Sequence, residues 1–367
     1  MQHRVVVAMS GGVDSSVVAA ILKEQGYDVI GVTMQLYDYN QVNSNKQKTC
    51  CATKDIFDAS SVAEKLNIPH YVLNYETEFK EKVIDKFVNS YLDGYTPIPC
   101  VLCNQTVKFN DLYDFAKKLG AKFLATGHYV KKIINTQGLA ELHKGNDTEK
   151  DQSYFLYATT QKQLEFCEFP LGEMTKQQTR EFARKYDLSI SQKPDSQDIC
   201  FVPNGDYFSV IQKYATQKII HGDIVDIVTN QKIGTHEGIA KYTIGQRKGL
   251  GISNSQPLFV IKLDKEKNIV YVGEMKFLYK IKFIIHSVNF LCNEDEIVNK
   301  KYTLDFKLRS IQKDSVCGII DKLENSNDEY LVTLINPTRA ITPGQAAVFY
   351  NNTKLLGGGI IKKILDT

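Results

Sequence analysis

Ser10-Gly11-Gly12-Val13-Asp14-Ser15-Ser16 stands between a run of valines and an apolar pattern of helical period. Two adjacent glycines let a backbone turn tightly and bring its N–H groups close to an anion. The N-terminus of the helix that follows adds unpaired donors and a partial positive charge. Ser10, Ser15 and Ser16 supply hydroxyls, and Asp14 could hold a magnesium ion that bridges phosphates. No Gly-Lys-Ser/Thr follows, so this is not a Walker loop, and it is not Gly-x-Gly-x-x-Gly either. A plain turn with an N-cap would use the same residue types. The order strand, Ser-Gly-Gly-x-Asp-Ser, helix favours a phosphate loop.

The second kind of chemistry is thiol chemistry. Pro99-Cys100-Val101-Leu102-Cys103-Asn104 carries a Cys-x-x-Cys, and a helix capped by Asn104 would put Cys103 at a helix N-terminus, where the dipole favours thiolate. A zinc site would need two more ligands. No second Cys-x-x-Cys and no His-x-x-x-His exists, although Cys50 and Cys51 could contribute; an inert buried pair is the plain alternative. A thioredoxin-like role does not suit a chain whose first βα turn is already a nucleotide loop. Cys200 lies in the polar stretch 193–201, where a cysteine taken alone is more often structural. Cys167, Cys292 and Cys317 sit in apolar runs and read as core or strand residues.

The elements that must position these groups alternate. Val5–Ala8, Val29–Met34, Tyr71–Leu73 and Lys122–Thr126 read as short strands. Ser16–Gln25, Lys54–Leu66, Phe79–Leu92 and Asn104–Leu119 read as helices, and Thr175-Lys176-Gln177-Gln178 fits a capping box for a further helix to Tyr186. Alternation of this kind predicts a doubly wound α/β domain with a parallel sheet over residues 1–203. Residues 204–274 read as a small glycine-rich domain with a hairpin at Leu258–Leu263 and Ile269–Val272. Residues 275–367 are entirely strand-like, and five or six short strands predict a β-barrel. The polar stretch 40–48 reads as a mobile loop.

Length and composition agree with this division. A chain of 367 residues suggests two or three domains, and 43% hydrophobic with 24% charged residues excludes disorder and fibres. The net charge of +3 hides a mild asymmetry: residues 1–203 carry 23 basic and 25 acidic side chains, the remainder 22 and 17. Ordinary solvated surface explains that tilt as well as a nucleic-acid footprint does. No run is apolar enough to span a bilayer, and the N-terminus enters a strand at once. A cytoplasmic protein with reduced thiols and no membrane partner is therefore expected.

The nucleotide loop resembles that of ATP pyrophosphatases, which include GMP, asparagine, argininosuccinate and NAD synthetases and several tRNA-modifying enzymes. Over essentially its whole length the chain resembles one group of these, the tRNA-specific 2-thiouridylases of the MnmA type. The resemblance rests on V-A-M-S-G-G-V-D-S-S at 7–16, I-P-H-Y-V-L at 68–73, L-C-N-Q-T-V-K-F at 102–109 and A-T-G-H-Y at 125–129. It continues with D-Q-S-Y-F-L at 151–156, P-D-S-Q-D-I-C-F at 194–201, Y-T-I-G-Q-R-K-G-L-G-I at 242–252 and T-P-G-Q-A-A-V-F-Y at 342–350.

The resemblance implies ATP with Mg2+, a tRNA with uridine at the wobble position, and a sulfur-relay protein that donates persulfide sulfur. It implies that Cys200 carries the persulfide and that Cys103 is the second catalytic cysteine, the two closing a transient disulfide; no metal site is implied. Ala8, Met9, Ser10, Gly11, Gly12, Val13, Asp14, Ser15, Met34 and Gly127 would bind ATP. Ile98, Pro99, Cys100, His128, Lys150, Asp151, Gln152, Arg309, Ser310 and Gln345 would meet tRNA. Read without the resemblance, His128 would pass as a satisfied loop residue and the others as solvated surface.

Two departures bear on this. Many relatives have Asn-Pro-Asp where this chain has Ile98-Pro99-Cys100, so no proton-transfer role for that Asp carries over. Arg-Tyr in relatives is Arg309-Ser310 here, which keeps a phosphate-binding cation and loses a stacking ring. The competing readings are another ATP pyrophosphatase, such as a 4-thiouridine synthase or an amidotransferase-type synthetase, and a non-catalytic RNA-binding protein with a vestigial nucleotide loop.

Overall fold

The computed structural model describes residues 3–37, 51–195, 198–202, 205–253, 256–324, 326, 328–339 and 341–365. The stretch 40–48, read above as a mobile loop, lies outside them, as do Cys50 and the side chain of Cys51. The chain forms two compact units. One comprises Met1–Val83, Cys100–Gly205 and Thr353–Leu355, the other Ile84–Pro99, Asp206–Asn352 and Leu356–Thr367.

The first unit is built on strands β1 (Arg4–Ala8), β2 (Asp28–Gln35), β3 (His70–Asn74), β4 (Leu124–Ala125), β5 (Val130–Ile134), β6 (Ala140–Lys144) and β7 (Cys167–Glu168). Five of these form a parallel sheet in the order β3-β2-β1-β4-β7, while β5 and β6 pair as an antiparallel hairpin. Val5, Val6 and Val7 are fully buried, as a strand covered on both faces requires. The core joins Val5 and Val7 to Val17 and Val18 of helix Val13–Glu24, to Ala59 and Ala63 of helix Cys51–Lys65, and to Ala183 of helix Lys176–Lys185. Because β2 and β4 flank β1 on opposite sides, the strand order reverses at β1. The crevice at such a reversal, beyond the carboxyl ends of the strands, is where doubly wound sheets bind ligands.

One reading from the sequence is corrected here. The helix expected from Asn104 begins at Pro99: an α-helical turn, Pro99–Cys103, continues as a π-helical segment, Asn104–Asp111, and then as Leu112–Lys118. Proline is preorganised for the first helical position, and this sets the start. Asn104 is buried, and its side-chain amide donates to the Phe155 carbonyl at 3.2 Å, so it caps nothing. Cys103 is consequently inside a helical run, not at its N-terminus. Met34 lies within the second strand as read, a half-buried member of β2 paired with Leu73. The capping box at Thr175 forms as expected, with Thr175 N–H on Gln178 Oε1 at 2.8 Å and Gln178 N–H on Thr175 Oγ1 at 3.3 Å.

The second unit contains helices Asp85–Leu92 and Tyr207–Tyr214, joined by a stack of Tyr91 on Tyr207 with ring centroids 4.8 Å apart. Strands β8 (Gly222–Asp226), β9 (Lys232–His236), β10 (Phe259–Asp264) and β11 (Ile269–Gly273) make a four-stranded sheet, β10-β11-β8-β9, which includes the expected hairpin. Six further strands follow: β12 (Tyr279–Phe290), β13 (Leu304–Lys307), β14 (Val316–Lys322), β15 (Glu329–Arg339), β16 (Ala346–Asn351) and β17 (Lys354–Leu365). They run in the order β12-β15-β14-β13-β16-β17, and pairing of β12 with β17 closes the barrel. Alternate residues fill it, among them Phe283, Phe306, Ile320, Val332, Phe349 and Ile361. Among the described residues no helix is long and apolar enough to cross a membrane.

Phe349 is fully buried where the rings of Phe290 and Phe306 meet it, whereas Ile335 on β15 is 59% exposed. Phe349→Ala is expected to lower unfolding free energy by about 3–5 kcal/mol, and Ile335→Ala by less than about 0.5 kcal/mol. Urea denaturation of the two variants checks this contrast.

Candidate active site

The phosphate loop occupies the crevice at β1. Gly11 has φ +71°, a conformation that glycine adopts freely, and a Cβ there would collide with the backbone carbonyl of Asp55. Ser15 is buried and its hydroxyl accepts from the Ser10 N–H at 3.1 Å, which closes the loop on itself. Ser16, counted above among the hydroxyl donors, turns inward and donates to the Gly12 carbonyl at 2.9 Å. Ala8 ends β1, Met9 is buried against the sheet, and Gly12 and Val13 open the helix. Across the crevice Gly127 approaches so closely that a Cβ would lie 2.8 Å from the Ser15 nitrogen.

Asp14 is held from two directions. Lys176 Nζ lies 2.7 and 2.9 Å from its two carboxylate oxygens, and Tyr129 Oη donates to Oδ1 at 2.8 Å. Burial, and after it the Asp14 charge, push the Tyr129 hydroxyl up, so it stays a neutral donor. Lys176 also reaches Asp195 Oδ1 at 2.7 Å; Asp195 in turn pairs with Lys150 at 2.7 Å and Arg180 at 3.0 Å. Burial opposes the Asp195 carboxylate, but hydrogen bonds from Lys150 and Lys176 outweigh it and hold its pKa below the ordinary value.

The thiols gather in the same unit. Cys103 is buried, Cys100 partly buried, and both are pushed up, first by loss of hydration. Cys200 is open over part of its surface, yet its thiol is pushed up to about 12, by loss of hydration and then by the neighbouring Cys103 and Cys100 thiols. Surface openness decides whether a reagent can reach Cys200; the groups around its sulfur decide its charge. Cys200 is positioned by its surroundings: Tyr37 Oη donates to its carbonyl at 2.6 Å, and Phe201 packs edge-on against Phe79 with ring centroids 5.7 Å apart.

Lys108 is the cation of this cluster. It follows Cys103 by five residues in the π-helical segment, whose period returns it to the same helix face. Burial alone disfavours its ammonium, but the charge on Cys103, Cys200 or Cys100 whenever one ionises outweighs that, and the net shift is upward. His128 lies beside it, its Nδ1 2.9 Å from Thr126 Oγ1 and its ring 5.9 Å from Phe109. Burial first and the Lys108 charge second depress His128 to about 3, so its imidazole is neutral at physiological pH.

The remaining expected residues separate. Asp151 Oδ1 accepts from the Gly145 and Ser153 N–H groups, and Gln152 Oε1 accepts from the Tyr129 N–H, so both brace turns of the first unit. Ile98 and Pro99 belong to the second unit. There Arg309 and Gln345 line one cleft of about 510 Å3 with Thr96, Tyr207, Thr243 and Lys248. Gln345 Nε2 donates to the Thr96 carbonyl at 2.9 Å, and Arg309 donates to Thr342 Oγ1 at 3.1 Å. Ser310 does not line this cleft. Among the described residues no group of three or more His, Cys, Asp or Glu is placed to hold a metal ion.

Residues 3–204 match the family described as tRNA methyl transferase HUP domain, 209–274 the tRNA methyl transferase PRC-barrel domain, and 280–361 the aminomethyltransferase beta-barrel domain. The chain is 54% identical to the tRNA-specific 2-thiouridylase MnmA of Rickettsia typhi over 359 residues, 98% of each chain. It is likewise 54% identical to that of Rickettsia prowazekii over 357 residues, covering 97% of this chain and 98% of the relative. The chain belongs to the MnmA family.

Lys108, Lys176, Lys193 and Tyr129 are the site groups that the motif reading of this MnmA-family chain does not single out. Lys108 and Tyr129 stand inside quoted blocks, and Lys176 inside the capping box, but nothing in their spacing announces a charge partner. A thiol whose pKa is raised should react about tenfold faster per pH unit from pH 7 to 10, without levelling off in the ordinary thiol range. Peptide-resolved iodoacetamide labelling of Cys200 measures this. Lys108→Met should slow labelling at pH 8 by roughly tenfold, because a neighbouring cation no longer favours the thiolate.

Proposed function

We infer that the chain transfers sulfur to C2 of the wobble uridine of tRNA at the expense of ATP. The observation that carries this reading is the presence, in one unit, of a pyrophosphatase-type loop and a cluster of three thiols around Lys108. The names of the curated relatives support the same reaction. The matched family descriptions speak of methyl transfer, but a methyl donor needs neither a triphosphate loop nor paired thiols.

A carbonyl oxygen is a poor leaving group. The uridine O2 attacks the α-phosphorus of ATP and expels pyrophosphate, which makes O2 part of an adenylate. Ser10 to Ser15, with Ala8, Met9, Met34 and Gly127 around the nucleotide, hold ATP for this step. Asp14 is the carboxylate that would take a magnesium ion on the phosphates, for which Lys176 must yield its place. A persulfide on Cys200, loaded by a sulfur-relay protein, then attacks C2 with its terminal sulfur, and AMP leaves with the oxygen. Cys103 attacks the inner sulfur of Cys200, breaks the S–S bond to the new thiouridine and closes a Cys103–Cys200 disulfide, which a thiol reductant reopens. Lys108 offsets the thiolate charge as it forms. Neutral His128 offers a hydrogen bond near the base and no charge.

The tRNA contacts belong to the same proposal: Ile98, Pro99, Cys100 and His128 near the target base, Lys150, Asp151 and Gln152 beside them, and Arg309, Ser310 and Gln345 on the backbone. So do the limits 1–203, 204–274 and 275–367 for the catalytic, central and barrel domains, and residence in the cytoplasm.

Incubation with ATP, a persulfide donor and unmodified tRNA, followed by nucleoside mass spectrometry, should yield 2-thiouridine with one pyrophosphate per product. Cys200→Ser should lower the rate by about 10³-fold or more with ATP binding intact. Thiolation that survives this change contradicts the persulfide role. Arg309→Ala should weaken tRNA binding and reduce the slope of log affinity against log salt by about one, measured by filter binding.

A further inference from the structure

Residues 193 and 195, seven and five positions ahead of Cys200, grip the phosphate loop from two sides. Lys193 Nζ donates to the Gly11 carbonyl at 2.9 Å and pairs with Asp55 at 2.6 Å and Asp58 at 2.5 Å. Asp195 reaches Asp14 through Lys176, whose ammonium touches both carboxylates at 2.7 Å. The Lys176 backbone is fixed independently, since its N–H donates to Asp147 Oδ2 at 2.8 Å next to the Thr175 capping box, so its side chain can change partners without moving the helix.

The charges of this network cancel. Asp14, Asp55, Asp58 and Asp195 face Lys150, Lys176, Arg180 and Lys193, four against four. A triphosphate that enters the loop therefore meets no surplus of positive side chains and approaches the Asp14 carboxylate. The side chain of Lys176 is only 11% exposed, and at that burial attraction and repulsion are weakly screened. The cation already on Asp14 is the one placed to turn to the phosphates, and Asp195 then keeps only Lys150 and Arg180.

We propose that Lys176 is a positioning residue that exchanges Asp14 and Asp195 for the phosphates of the bound nucleotide, and so couples occupancy of the phosphate loop to the setting of Cys200. The inference rests on the ATP-dependent reading above. It goes beyond that reading in giving the nucleotide a second effect, on the sulfur-carrying cysteine, before any chemistry occurs.

The test measures iodoacetamide labelling of Cys200 by peptide mass spectrometry, with and without saturating magnesium adenosine 5′-(α,β-methylene)triphosphate. Binding is followed separately by calorimetry. In the unaltered chain the nucleotide should change the Cys200 labelling rate about fivefold or more. In Asp195→Asn the nucleotide should still bind, but the two rates should coincide; Asp195→Glu should restore the difference. Lys176→Gln, at nucleotide concentrations that saturate it, should abolish the difference as Asp195→Asn does, and it serves if the latter does not fold by circular dichroism. A bound nucleotide that leaves Cys200 unchanged in the unaltered chain, or an equal effect in either variant, overturns the coupling. Failure of the unaltered chain to bind the nucleotide overturns the ATP reading itself.

Discussion

The first unit is organised around the close approach of Gly127 to Ser15. With β1 and β4 adjacent and parallel, the segment leaving β4 must pass within contact distance of the first turn of the helix that leaves β1. Any side chain at 127 would displace the phosphate loop, so a backbone-only residue is imposed there. The two residues after it gain their roles from the same contact. His128 is set, partly buried, beside Lys108, and Tyr129 is placed to donate to Asp14. One constraint of sheet order thus places the nucleotide loop and one wall of the thiol cluster.

Charge in this unit is balanced, with little to spare. Asp14 and Asp195 share one ammonium, and the thiols share Lys108. In this state the cysteines are neutral, since loss of hydration outweighs the Lys108 cation and raises all three. Such a cluster suits chemistry in which a thiolate is needed only in passing. A permanently ionised Cys200 would be consumed by stray electrophiles, whereas a persulfide ionises more readily than a thiol and would become the nucleophile only once loaded.

Local signals were legible in the sequence, and long-range pairings were not. The phosphate loop, the valine strand ahead of it, the Thr175 cap and the barrel strands each follow from neighbours in the chain, where propensity and periodicity act. Asn104 shows how two local signals can compete: a good capping residue lost to Pro99, whose ring starts the helix one turn earlier and places Cys103 inside it. The hairpin β5–β6 follows a turn at 135–138, but the adjacent Lys131 and Lys132 blur its alternation. Lys176 and Asp14 are 162 residues apart, and Lys193 and Gly11 are 182 apart; no spacing rule links them. Asp151 and Gln152 brace the turn beside Tyr129 by accepting from backbone N–H groups, a use that no local pattern announces.

The central claim is that the oxygen replaced by sulfur leaves as part of AMP. A tRNA transcript carrying 18O at O2 of its wobble uridine, thiolated in a single turnover, tests it directly. The account predicts one 18O atom in the phosphate of AMP, recovered in proportion to the 2-thiouridine formed. Label found in water or in inorganic phosphate, with AMP unlabelled, would contradict it.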